Sequence, residues 1–389
     1  MKILFISLGC DKNLVDSEVM LGLLTKNGYT LTDDETQADV IVINTCCFIH
    51  DAKEESINTI LEMAQYKEQN LKALVVAGCL AERYKDEILK EIPEIDAVLG
   101  TTSYDSIVEA VNMALAENAG EHFEHYESID YLPDNSEVER VVTTGNHMAY
   151  LKIAEGCDKR CSYCIIPKIR GHFRSVPMEE LLNEAKRLAS EGVKELVLVA
   201  QETTLYGKDL TGEKQLPLLL HELCKIEGIE WIRLLYCYPE EITDELIEAI
   251  KTEEKVCNYI DMPIQHSENR ILQRMGRRTS REDLVAVIKK LRKEIPDITI
   301  RTTLITGFPG ESQEDHEGLM NFVEECQFDR LGVFTYSPEE DTLAATFEDQ
   351  IDEEVKEERR DELMSLQQEI SYEHTQQLVG KTIKVMVVG

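Results

Sequence analysis

The sequence predicts an α/β protein, with a doubly wound parallel-sheet domain at its N-terminus and an incomplete (β/α)6 barrel after it. Three observations carry that expectation. Short apolar runs alternate with amphipathic stretches along most of the chain, the pattern of parallel strands joined by crossover helices. Three early runs each lead within a few residues to a cysteine. A later run opens onto 155–175, E-G-C-D-K-R-C-S-Y-C-I-I-P-K-I-R-G-H-F-R-S, where Cys157, Cys161 and Cys164 form a C-x3-C-x2-C array.

Residues 1–120 form the first expected domain. Lys2–Ser7 (K-I-L-F-I-S), Val40–Asn44 (V-I-V-I-N) and Leu74–Ala77 (L-V-V-A) read as strands buried on both faces, because each is a continuous apolar run. Ser17–Asn27 and Glu54–Glu68 carry apolar residues at helical spacing, and a fourth unit runs from Ala97–Leu99 into Tyr104–Ala116. Parallel strands end on one edge of such a sheet, and ligands bind outside that edge. Cys10, Cys46 and Cys79 each follow a strand, so they are expected to converge although they are distant in sequence. One cysteine in such a place is usually a small buried hydrophobe. Three at equivalent positions are read as ligands of a metal cluster, with Cys47 the weaker alternative. The acidic stretch 117–139 lacks periodicity, and residues 121–140 are expected to be a linker with room for one short element.

Residues 141–345 are expected to be the barrel. Its strands are Ala149–Ile153, Glu195–Ala200, Trp231–Tyr236, Tyr259–Met262, Thr299–Ile305 and Leu331–Tyr336. Amphipathic helices alternate with them at Met178–Glu191, Leu216–Ile226, Thr243–Thr252, Ser280–Glu294 and Gln313–Cys326. Six β-α units with right-handed crossovers curl toward a barrel but leave it open on one side. Chemistry in such folds collects at the C-terminal strand ends. Gln201, Glu202, Thr203, Gln265, His266, Arg301, the turn Thr306–Glu311 and Tyr336 are the candidates there. Each also has a plain structural reading: Arg301 and Gln265 could satisfy each other, and His266 could be a hydrogen-bonded loop residue.

The loop itself points to a metal centre. A fully ligated four-iron cluster normally takes four cysteines. Three leave one iron open to a ligand that is not protein, as catalytic metal sites do. Zinc with His172 as fourth ligand is the alternative. A disulfide framework is not expected, since the chain has no signal peptide and eleven cysteines in 389 residues match no small secreted scaffold. Many free cysteines without a targeting segment imply a reducing cytoplasm, and no apolar run approaches the length of a membrane span. The formal net charge is −34. Such a surface repels phosphate backbones and favours a basic partner, unless it serves solubility alone.

At this point a resemblance becomes specific. S-L-G-C-D-K-N-L-V-D-S-E (7–18), N-T-C-C-F-I-H-D-A-K-E-E-S-I (44–57) and A-G-C-L-A-E-R-Y (77–84) resemble the N-terminal domain of the methylthiotransferases. G-C-D-K-R-C-S-Y-C-I-I-P-K-I-R-G (156–171) resembles their radical S-adenosylmethionine (SAM) loop. D-K-N after Cys10, F-I-H-D-A-K-E-E-S after Cys47 and M-P-I-Q-H-S (262–267) resemble the RimO branch, which modifies a ribosomal protein. The MiaB-like, tRNA-modifying branch typically reads Q-M-N after its first cysteine.

The resemblance implies a transferase that methylthiolates the β-carbon of one aspartate in small-subunit ribosomal protein twelve, a basic partner that suits the −34 charge. It implies two 4Fe-4S clusters. Cys157, Cys161 and Cys164 would hold the one that reduces S-adenosylmethionine to yield a 5′-deoxyadenosyl radical. Cys10, Cys46 and Cys79 would hold the other, which carries the sulfur to be inserted. A second S-adenosylmethionine would supply the methyl group. Tyr163, Glu202, Gln265, Arg301 and Tyr336 are expected to hold S-adenosylmethionine, and no residue is assigned to acid–base catalysis. An electron donor of flavodoxin or ferredoxin type and a sulfur source are the further partners; nucleic acid is not the expected substrate.

Residues 346–378 are expected to be a helical connector, built on the charged stretch Asp349–Gln377. Residues 379–389 resemble the opening of the family's TRAM β-barrel, truncated after one strand, with an exposed apolar edge at Val385–Val388. Three other functions compete: a tRNA methylthiotransferase, a two-cluster electron carrier, and a zinc-stabilised adaptor. Three rather than four cysteines at each site argue against the carrier.

Overall fold

A computed structural model of the chain describes residues 1–116, 122–136, 138–145 and 147–387. Two positions of the expected linker, 121 and 137, and the last two of the tail, 388 and 389, lie outside the described residues. The chain divides into two compact units, and the division is discontinuous in sequence. One unit takes 1–143, 155–158 and 165–176; the other takes 144–154, 159–164 and 177–389.

The first unit contains β1 (Lys2–Ser7), α1 (Asp11–Lys26), β2 (Thr30–Leu31), β3 (Val40–Thr45), α2 (His50–Ala64), β4 (Ala73–Gly78), α3 (Cys79–Arg83), α4 (Ile88–Glu91), β5 (Ala97–Leu99), α5 (Ile107–Leu115) and β6 (Phe123–His125). The strands form one parallel sheet in the order β2-β1-β3-β4-β5-β6. Successive side chains point to opposite faces, and both faces are covered. Ile41, Ile43, Leu74 and Val76 pack with Ile60 of α2 and Leu80 of α3. Val40, Val42, Val75 and Ala77 pack with Val19 and Leu24 of α1 and Val111 of α5. A doubly covered sheet needs apolar residues at every strand position, which is why these strands read as unbroken runs.

Three details depart from the expectation. Helix α1 starts at Asp11 rather than Ser17, because its first two turns bury polar side chains: Lys12, Asn13, Asp16, Ser17 and Glu18. Apolar periodicity does not register a helix face made of polar groups. Strands β2 and β6 escaped notice because they are short edge strands whose exposed or half-buried residues make no apolar run, and β6 falls inside the expected linker. That stretch is packed onto the unit. Arg140 pairs with Glu18 at 3.1 Å, and Val141 N–H donates to the Glu18 carbonyl at 3.0 Å. Gly22 of α1 makes room for it, since a Cβ there would stand 2.2 Å from the Glu139 carbonyl oxygen.

Beyond the first unit's sheet the chain continues through β7 (Met148–Lys152), β8 (Ala154–Glu155), α6 (Ile166–Ile169), β9 (Arg174–Ser175), α7 (Met178–Ser190), β10 (Glu195–Val199), α8 (Lys208–Thr211), α9 (Leu216–Cys224), β11 (Trp231–Leu234), α10 (Asp244–Thr252), β12 (Tyr259–Asp261), α11 (Asn269–Arg274), α12 (Arg281–Glu294), β13 (Thr299–Thr306), α13 (Gln313–Cys326), β14 (Arg330–Thr335) and α14 (Glu353–Gln376). The second unit arranges six of these strands as two parallel ladders, β7-β10-β11 and β12-β13-β14. The bridge Ile232↔Val256 and the bond from Cys237 N–H to the Asp261 carbonyl (2.8 Å) join β11's side to β12's. Among the described residues no ladder joins β7 to β14, so the six strands form an open barrel. Helices α12 and α13 start where expected, each behind a serine capping box, Ser280 with Asp283 and Ser312 with Asp315.

Helix α14 packs Leu363 and Ile370 inward. After it, residues 378–387 form no strand, and Val379, Val385 and Val387 are 67–82% exposed. Among the described residues no strand lies beside this segment to pair with it, and the strand expected there does not form.

Candidate functional site

Strand register brings the first three cysteines together. Ser7, Asn44 and Ala77 lie in one row across β1, β3 and β4, and Cys10, Cys46 and Cys79 follow two or three residues later. Gly9, at φ +90, makes the close approach possible, because a Cβ there would stand 2.6 Å from Cys46 Cβ and 2.8 Å from its Sγ. Cys10 is exposed at the start of α1, whereas Cys46 and Cys79 are buried. Cys47 turns the other way, with its Sγ 3.1 Å from the Cys79 carbonyl and its side chain in the core.

Asn13 knits this edge. Its Nδ2 donates to the carbonyls of Leu8 (3.0 Å) and Thr45 (2.8 Å), and its Oδ1 lies 3.8 Å from Cys79 Sγ. That same Oδ1 accepts from Arg170, which is fully buried. Arg170 Nη1 also meets Asp16 and Glu155, each at 2.9 Å. Burial pushes the Cys46 thiol up and the Cys79 thiol well up, and the Arg170 charge opposes both shifts. A thiol must lose its proton to bind metal. A buried guanidinium beside three cysteines supplies the charge that makes this less costly.

The second trio sits on the eight residues 157–164. Cys157 N–H donates to the Gly171 carbonyl at 3.1 Å, and Gly156, at φ +78, leaves space where a Cβ would meet the His172 carbonyl oxygen at 2.0 Å. Ser162 fixes the other end: its N–H donates to Met275 O (2.9 Å), its Oγ to Arg274 O (2.8 Å), and its carbonyl accepts from Ala344 (2.8 Å). Lys159, also buried, pairs with Glu202 (3.2 Å), Glu240 (3.3 Å) and Glu241 (2.6 Å). His172 is exposed and occupied by Asp130, 3.1 Å from its Nδ1, so it is not placed as a fourth metal ligand. Among the described residues, no three His, Cys, Asp or Glu side chains converge on the single point that one ion would need. A cubane is larger than an ion, and its ligand sulfurs stand further apart.

The five residues expected to hold S-adenosylmethionine all belong to the second unit. Tyr163 and Tyr336 flank Phe308 edge-on, with ring centroids at 6.5 and 5.3 Å. The Tyr336 hydroxyl is buried without a hydrogen-bond partner, and burial pushes it up to about 12. Gln265, at φ +75, is pinned to β13 by bonds to Thr303 O (2.9 Å) and from Ile305 N–H (2.7 Å), while its Oε1 is likewise unpartnered. Arg301 is committed to Asp261 at 2.5 Å. Glu202 is fully buried between Lys159 and Thr204, and burial pushes its carboxyl up to about 7 despite the Lys159 charge. His266 accepts from Glu268 N–H (3.0 Å) and lies 3.5 Å from Glu311. Asn13, Asp16, Lys159, Arg170 and Arg277 were not singled out from sequence, although all but Arg277 lie inside the quoted motifs. Unmatched charge within a cysteine-rich apolar motif was the available signal.

Comparison with known proteins shows the family. The model of the radical SAM superfamily matches residues 151–323, and that of the uncharacterized protein family UPF0004 matches residues 2–100. The chain is 63% identical over 390 residues to the ribosomal protein uS12 methylthiotransferase RimO of Lachnoclostridium phytofermentans, covering 100% of this chain and 88% of that one. The chain belongs to the RimO family. A second RimO protein, from Acetivibrio thermocellus, is 53% identical, over 100% of this chain and 86% of its own. Membership makes the chain a methylthiotransferase of the radical SAM type, which implies a four-iron cluster and S-adenosylmethionine. Among solved structures, the radical S-adenosylmethionine methyltransferase TsrM from Kitasatospora setae matches with TM-score 0.62 at 14% identity, covering 87% of this chain and 76% of that one. The cobalamin-dependent S-adenosylmethionine radical enzyme OxsB matches with TM-score 0.56 at 13% identity, over 94% and 56%. At such identities the likeness shows the RimO-family chain's fold alone. No helix among the described residues is long and apolar enough to cross a membrane.

Proposed function

We propose that this chain inserts a methylthio group at the β-carbon of one aspartate of ribosomal protein uS12, using two four-iron clusters and two molecules of S-adenosylmethionine. The observation that carries the proposal is the pair of three-cysteine sets, each one ligand short of a closed cluster. Cys157, Cys161 and Cys164 hold one cluster, and Cys10, Cys46 and Cys79 the other. Gly9 supports the second assignment, since any side chain there would fill the space beside Cys46. When bound at the loop, a reduced cluster supplies the electron that cleaves S-adenosylmethionine into a carbon radical able to take hydrogen from an unactivated C–H bond. The second supplies the sulfur.

The chain's own residues position and exclude. Tyr163, Phe308 and Tyr336 form an apolar wall that keeps water from a radical. The unpartnered Tyr336 hydroxyl and Gln265 Oε1 are donor and acceptor for S-adenosylmethionine. Glu202 and Arg301 shape the site through Lys159 and Asp261. The −34 charge supports a basic protein substrate over a nucleic acid. A reducing cytoplasm, an electron donor of flavodoxin or ferredoxin type and a sulfur source complete the reading.

Mass spectrometry on parallel anaerobic reactions tests it. Reconstituted protein, S-adenosylmethionine, reductant and sulfide meet either uS12 or unmodified tRNA. A methylthio mass gain on one aspartate of uS12 is the expected result; a gain on tRNA alone overturns it.

A further inference from the structure

Among the described residues, one buried cation beside the loop makes no ion pair. Arg277 is 7% exposed, follows α11, and belongs to the strand of chain that grips the loop. Its neighbours Arg274 and Met275 accept the two bonds from Ser162, and a Cβ on Gly276 would lie 3.7 Å from Cys161 Cα. One guanidinium nitrogen, Nη2, donates to the Pro263 carbonyl at 2.8 Å, and the guanidinium plane covers the Tyr238 ring at 4.4 Å. The other two nitrogens, Nε and Nη1, are buried and donate to nothing. No carboxylate pairs with Arg277 among the described residues. Lys159, on the same Tyr238 ring at 5.0 Å, is by contrast surrounded by three.

A buried guanidinium with two idle N–H groups is expensive unless an anion completes it. The polar side chains around it are Tyr163 and Cys161 of the loop, Tyr238, and Glu240, whose Oε1 meets Lys159. Tyr238 is stacked on the guanidinium and Glu240 forms no ion pair with it, so the group the loop offers as acceptor, when it holds metal, is the sulfur of Cys161, whose Cα would stand 3.7 Å from a Cβ on Gly276.

We propose that Arg277 is a cofactor-binding residue, donating Nε and Nη1 to the sulfur of Cys161 and of the cluster it helps to hold, and so setting that cluster's reduction potential. This rests on the reading of Cys157, Cys161 and Cys164 as one ligand set. Hydrogen bonds to cluster sulfur stabilise the more negative, reduced state and raise the potential. Burial from solvent does the reverse, so Arg277 keeps a water-excluded cluster within reach of a protein electron donor.

The test is an anaerobic redox titration, followed by electron paramagnetic resonance, on the full chain and on Arg277→Met and Arg277→Lys. The loop component is identified by its loss in Cys157→Ala, and iron and sulfide are counted on each preparation. The midpoint of that component is expected to shift to more negative potential in Arg277→Met and by less in Arg277→Lys, at unchanged iron and sulfide. Unchanged midpoints overturn the proposal. Weaker binding of S-adenosylmethionine at an unchanged midpoint also overturns it, and assigns Arg277 to the co-substrate instead. Should Arg277→Met fail to load iron, Arg277→Lys decides alone by the same criterion. A parent protein without a loop component overturns the two-cluster reading itself, which is a distinct result.

Discussion

Two sets of three cysteines are assembled here by different means. Cys157, Cys161 and Cys164 are neighbours because eight consecutive residues hold them. Cys10, Cys46 and Cys79 are neighbours because three parallel strands end in register, with Ser7, Asn44 and Ala77 in one row. The first set is encoded locally, and the second exists only once a sheet has formed. Their charge environments differ in the same sense. The strand-end set has a guanidinium, Arg170, locked between two carboxylates. The loop carries an ammonium, Lys159, whose partner Glu202 titrates near neutrality.

The strongest way to break this comparison is by cysteine replacement. Cys157→Ala is expected to abolish both 5′-deoxyadenosine formation and methylthio transfer. Cys10→Ala is expected to abolish transfer and retain 5′-deoxyadenosine, as read by liquid chromatography of the same reactions. Equal loss of both activities in both variants would mean that the two sets are one functional site.

Replacing Arg170 by Met sharpens the structural side. It removes the guanidinium that Asp16 and Glu155 share, a loss of about 3–5 kcal/mol measurable by urea unfolding. Iron bound by the strand-end cysteines is expected to fall while the loop component persists. A variant that unfolds at the parent's urea midpoint would show that Arg170 carries no such weight.

The mildest effect is a pH dependence. Glu202 sits at about 7 in the folded chain, above its ordinary range. Its contribution to stability is therefore full below about pH 4.5 and is lost as pH rises through about 7. Glu202→Gln removes this dependence. The parent should lose stability relative to the variant across that window, by at most about 1.4 kcal/mol per pH unit. Parallel unfolding curves at about pH 5 and about pH 7.5 read the difference directly, and an unchanged gap would place the Glu202 carboxyl in its ordinary range.

The same contrast explains what could be read from sequence. The local set was legible as spacing. The strand-end set was legible because doubly covered strands such as Val40–Thr45 are continuous apolar runs, and each leads to a cysteine. Asn13 and Arg170 were not, because their roles depend on contacts across 157 residues of chain. The start of α1 was obscured for a related reason: Asn13, Asp16 and Glu18 face inward as a polar surface, and a helix buried on polar groups shows no apolar stripe. Arg277 lies beyond every cysteine motif, and only its idle nitrogens mark it.

The discontinuity of the first unit bears on how the chain is made. All six strands of its sheet have been translated by residue 125, yet Ile165 and Ile169, which complete the core beside Leu80 and Ile92, come later, as does Arg170. Synthesis from residue 143 to residue 176 takes roughly two to seven seconds at ~5–20 residues per second. During that interval the sheet lacks the apolar side chains of Ile165 and Ile169 and the guanidinium that pairs with Asp16. The first unit's core is therefore complete only after part of the second unit's sequence has been made.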